Sequence, residues 1–106
     1  MPNFNEMLEK AKELQEKMKK AQESIKKIEV EGKAGGDLVT VVLTGDYEIK
    51  SIFVSDAAKK ESQEIINDLI KAAFNNAKEN LKRKSAEEIS KTTGGLNFPS
   101  DFKMPF

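Results

Sequence analysis

Apolar residues open the chain in a regular rhythm: Phe4, Met7, Ala11, Leu14, Met18, Ala21, Ile25 and Ile28 follow one another in steps of three and four. A period of about 3.5 residues held over some three and a half heptads is that of a helix-to-helix seam. The spacing predicts an arm helix over residues 1–28. Asn3 offers an N-cap, and Glu6 three residues later completes a capping box. From Ile28 the period changes to two. Ile28, Val30 and Gly32 alternate with charged residues, and Ala34-Gly35-Gly36-Asp37 reads as a turn. Leu38 to Thr44 is rich in Val and Thr, Gly45-Asp46 signals a second turn, and Tyr47 to Val54 carries Ile49, Ile52 and Phe53. Three short antiparallel strands are expected over residues 29–54. The middle one is apolar on both faces, so helices of the same protomer should cover one face. A second protomer is the expected cover for the rest, or for a strand edge.

A second long helix is expected over residues 56–91, beginning between Asp56 and Ser62. Ile66, Leu69, Ala73 and Ala77 form one row, and Ile65, Ile70, Phe74 and Leu81 broaden it into the stripe of a helix lying on a sheet. Periodicity weakens beyond Leu81, which predicts a frayed end over residues 85–93. Residues 92–106 are expected as an extended apolar tail, held open by Pro99 and Pro105 and carrying Phe98, Phe102 and Phe106. The whole reads as an α+β fold of order α-β-β-β-α in one domain, residues 1–106.

Composition narrows the chemistry. The chain has 106 residues, a size at which one protomer is marginally stable and oligomerisation is a natural remedy. Cys and His are both absent, which removes thiol and imidazole catalysis and the usual zinc ligands together. An enzyme built from what remains would need paired carboxylates or a buried Lys, whereas these carboxylates sit beside lysines on helix faces, and no enzyme is expected. Gly35-Gly36 precedes no Lys-Ser/Thr and opens no helix, so it is read as a hairpin turn; no cofactor or small-molecule substrate is expected. No apolar stretch is long enough to span a membrane. Met1-Pro2-Asn3-Phe4 is not the basic opening of a secretory signal, and a cytoplasmic protein is the expectation.

Charge is balanced in total and segregated in detail. Lys plus Arg and Asp plus Glu each number 18, so the chain is no histone-like polycation. Residues 1–16 hold Lys10 and Lys12 against four glutamates, whereas residues 17–27 hold Lys17, Lys19, Lys20, Lys26 and Lys27 against Glu23 alone. Lys12, Lys19 and Lys26 are seven apart and stack on one face, with Lys20 and Lys27 beside them. Such a strip is the footprint of a phosphate-backbone binder. Glu6–Lys10, Glu13–Lys17, Glu16–Lys20 and Glu23–Lys27 are all spaced for helical ion pairs. The end of the second helix is basic too, with Lys82, Arg83 and Lys84, although helix-dipole complementarity accounts for part of that.

These segments together resemble the YbaB/EbfC family of bacterial nucleoid-associated DNA-binding proteins. The resemblance rests on the heptad helix, on Gly32-Lys33-Ala34-Gly35-Gly36 running into Leu38-Val39-Thr40-Val41, on Asp68-Leu69-Ile70-Lys71-Ala72-Ala73-Phe74-Asn75-Asn76-Ala77, and on the closing Phe102-Lys103-Met104-Pro105-Phe106. Pro99-Ser100-Asp101 and Val54-Ser55-Asp56 depart from the family's usual Pro-Pro-Gly and Ile-Asp-Pro. The resemblance implies a homodimer with the first helices projecting as arms, duplex DNA as partner, a nucleoid location, a role in nucleoid organisation and gene expression, and no catalysis. The expected contacts are Lys12, Lys19, Lys20, Lys26 and Lys27 on the arm, with Lys82, Arg83 and Lys84 secondary. The alternative reading is a coiled-coil interaction or chaperone-like protein without nucleic-acid binding.

Overall fold

A computed structural model describes residues 3–92. Within them a first helix, α1, spans Phe4–Lys26, and the Asn3 side chain accepts the Glu6 amide at 2.8 Å as the capping pattern requires. Three strands follow, β1 (Glu29–Ala34), β2 (Val39–Thr44) and β3 (Ile49–Val54), in one antiparallel sheet of order β1-β2-β3. Val30 stands opposite Leu43 and Gly32 opposite Val41, while Val41 faces Ile52 and Thr40 faces Phe53 across the second pair. A register shift between Val42 and Leu43 sets Leu43 against Ile49. Both expected turns form; in the second, Tyr47 takes a positive φ of 62° and its amide donates to the Thr44 carbonyl at 2.9 Å.

The second helical region differs from the single helix expected over residues 56–91. A four-residue helix, α2 (Asp56–Lys59), comes first, and the long helix α3 spans Gln63–Thr92. Two serines make the division. The Ser55 hydroxyl accepts the Ala58 amide at 3.1 Å, and the Ser62 hydroxyl accepts the Ile65 amide at 3.3 Å, so each starts its own helix. Nor does α3 fray after Leu81. Its buried residues run Ala73, Ala77, Leu81, Ser85 and Ile89, one every fourth position, because α1 folds back to cover the last two turns. Thr92 is the final helical residue, and the remainder of the expected tail, 93–106, lies outside the described residues.

The core is shallow and lies between α3 and two of the three strands. Val39 and Val41 pack with Ala34, Ala58 and Ala73; Val30 and Leu43 pack with Ala77 and Leu81. Close approach is enforced at Gly32, where a Cβ would overlap the Ala73 carbonyl oxygen and the Ala77 backbone nitrogen. A third cluster, Ala21, Ile25 and Ile89, fixes α1 to α3, and Ile28 touches both it and the Leu81 cluster. The two helices are therefore antiparallel. The first half of α1 runs on past the end of α3 as a free arm, and the protomer is elongated, 68 × 23 × 17 Å.

Candidate nucleic-acid interface

On α1 the residues facing α3 are Ala21 and Ile25, so positions two and five further on point away from it. That geometry places Lys19 and Lys26 on one outer row and Lys20 and Lys27 on the next, with Glu23 between them; Lys12 extends the first row along the free arm. All five are exposed. Of the four ion pairs that spacing permits on this helix, only Lys17 to Glu13 closes, at 3.3 Å. Among the described residues none of Lys12, Lys19, Lys20, Lys26 and Lys27 is held in an ion pair. Four free ammonium groups around one carboxylate leave this stretch strongly positive.

Lys82, Arg83 and Lys84 are also exposed, on the turn of α3 that follows Leu81. Ile28 meets Leu81's cluster, so this basic turn stands at the height of Lys26 and Lys27 on the neighbouring helix. The structure thus brings the basic stretches of the two helices to one level, while Lys12 stands apart on the arm. Arg83 is oriented by Asn80, whose Oδ1 accepts from its guanidinium at 3.1 Å. Lys78, one turn earlier, lies over the Phe74 ring, 5.8 Å from its centroid.

Other cations are committed elsewhere. Lys50 bridges to Glu29 at 2.6 Å. Lys33 reaches Asp37 at 3.1 Å, and this hydrogen bond, with the Asp37 charge behind it, holds the Lys33 ammonium above its ordinary range. Among the described residues no group of acidic side chains is arranged to hold a metal ion.

Sequence reasoning missed two asparagines that determine which sheet edge is open. Asn76 Oδ1 accepts the Lys33 amide at 3.0 Å, and Asn80 Nδ2 donates to the Glu31 carbonyl at 2.7 Å. Both bonds occupy the outer edge of β1. Their signal was the four-residue spacing of two poor helix formers on a face otherwise packed on the sheet.

A family model described as the YbaB/EbfC DNA-binding family matches residues 1–96. The chain belongs to that family. Among its relatives, nucleoid-associated proteins of Rickettsia canadensis and Rickettsia rickettsii are 41% and 42% identical, each over the full length of both chains. An uncharacterized protein from Helicobacter pylori shares the fold, with a TM-score of 0.68 at 16% identity, covering 82% of this chain and 92% of the other. The YbaB/EbfC family is one of nucleoid-associated DNA-binding proteins and not an enzyme family, and its nucleoid-associated members imply a nucleoid location. No helix among the described residues is long and apolar enough to cross a membrane.

Proposed function

We propose that the protein binds duplex DNA as a homodimer in the cytoplasm, gripping the phosphate backbone, and so contributes to nucleoid organisation and gene expression. The observation that carries this reading is the outer face of α1: Lys19, Lys20, Lys26 and Lys27 are exposed, unpaired and level with Lys82, Arg83 and Lys84 on α3. Family membership supplies the polyanion. Lysines on a solvated helix, with few amides or aromatic side chains among them, favour phosphate contact over reading of base edges. Binding then follows counterion release. If a dimer neutralises about 4–8 phosphates, log K falls with log salt at a slope of about −4 to −7.

Two features of the sheet support dimerisation. β3 is an edge strand with its outer backbone unpaired in the sheet, and it is apolar on both faces: Ile49 and Ile52 are 47% and 46% exposed, and Phe53 is 62% exposed. An edge of this kind is a template for a second chain.

The deciding experiment is a salt titration of duplex binding. Replacing Lys19, Lys20, Lys26 and Lys27 with Gln should flatten the slope by about one for each lost contact, with the dimer intact. An unchanged slope would assign the DNA surface elsewhere, and absence of binding at low salt would return the protein to the chaperone-like reading.

A further inference from the structure

The seam of α1 is one continuous row, yet only its second half is covered. Ala21 and Ile25 are buried against Ile89, whereas Phe4, Met7 and Leu14 are 72%, 58% and 39% exposed, with Leu8 beside them at 43%. Cover stops where α3 stops: Met18 and Thr92 are both half-buried, and nothing earlier in α1 is. A cleft of about 350 Å³ on the bare half is lined by Lys10, Glu13, Leu14 and Lys17.

We propose that residues 96–106 of the same chain lie along this bare half of α1, taking over where α3 ends. Reach permits it. With Ile89 level with residues 21–25 of an antiparallel α1, Thr92 lies about 8 Å along the axis from Leu14. From Leu14 to Phe4 is about 15 Å of helix, whereas eleven extended residues span about 35 Å. Chemistry matches as well. Residues 96–106 bring Leu96, Phe98, Phe102, Met104 and Phe106, and Asp101 stands between two phenylalanines as Leu14 stands between Lys10 and Lys17. Tethering at Thr92 makes the contact intramolecular, with an effective concentration of order millimolar.

A second arm is the rival occupant, and charge disfavours it. Positions flanking the bare seam are Lys10 and Lys17 on one side, Leu8 and Gln15 on the other. Antiparallel pairing of two arms would set lysine against lysine, and parallel pairing would offer those lysines no carboxylate.

The chain has no cysteine, so a single Asn5→Cys variant of the full protein takes one nitroxide at the tip of the arm. The readout is amide signal loss along residues 96–106, without DNA, so that it stands or falls separately from the DNA-binding reading. The docked arrangement predicts loss greatest at residues 102–106, to below half the diamagnetic intensity, and at least twofold recovery on adding Met7→Glu. A segment merely tethered at Thr92 would show no such ordering and no response to Met7→Glu, which would overturn the proposal. Loss seen in a mixture of isotope-labelled and spin-labelled chains, with none within one chain, would assign the seam to a second copy and overturn it too.

Discussion

At Gly32 the fold depends on the absence of a single carbon atom. β1 and α3 meet backbone to backbone there, and neither the Ala73 carbonyl nor the Ala77 nitrogen can yield without moving a helical turn. Gly32→Ala is therefore expected to lower unfolding stability by about 1–3 kcal/mol, read from urea denaturation at an unchanged m-value. The paired asparagines act at the same interface by hydrogen bonding. Asn80→Ala removes the donor to the Glu31 carbonyl and is expected to cost about 0.5–1.5 kcal/mol, with faster amide exchange along β1 as the local sign. Sequence legibility at this scale was uneven. Asn3 as a cap and Gly35-Gly36 as a turn were readable because their partners lie a few residues away. The tasks of Gly32, Asn76 and Asn80 were not, because each is set by a neighbour more than forty residues distant.

Among elements, α3 shows how a pattern is lost and then restored by tertiary contact. Ser85 interrupts the apolar row and makes the last turns look solvent-facing, yet the row of every fourth residue continues through it to Ile89. What keeps those turns helical is the antiparallel α1, which the local sequence does not announce. Ile89→Ala is expected to loosen this contact, with a stability loss of about 2 kcal/mol or less given its place at the rim of the core. Hydrogen exchange in residues 17–26 should accelerate while β2 is unaffected; equal acceleration in both would mean that arm and sheet unfold as one unit. Heptad spacing, by contrast, was visible from Phe4 onward, since a helix that meets a helix writes its own period into the chain. The division of residues 56–91 into α2 and α3 was hidden for a different reason: Ser62 reads as an ordinary polar spacer until its hydroxyl is seen on the Ile65 amide.

For the whole molecule, the two edges of the sheet are unlike. Along β1 the outward Lys33 amide and Glu31 carbonyl are already occupied by α3, while β3 has no such cover and carries Ile49, Ile52 and Phe53 in the open. The proposed dimer is thus expected to depend on β3. Ile52→Glu should convert two-chain particles to single chains in sedimentation while far-ultraviolet dichroism keeps its helical amplitude, and DNA affinity should fall with the loss of paired binding surfaces. A dimer that survives Ile52→Glu would move the contact off this strand. Sequence pattern foretold a middle strand apolar on both faces but was silent on which flank remained available, because the asparagines that close the other flank lie on a different element. That asymmetry limits how far self-association can proceed. A sheet with one reactive margin has a valence of one: joining a twin consumes both margins at once, leaving nothing from which a fibre could grow.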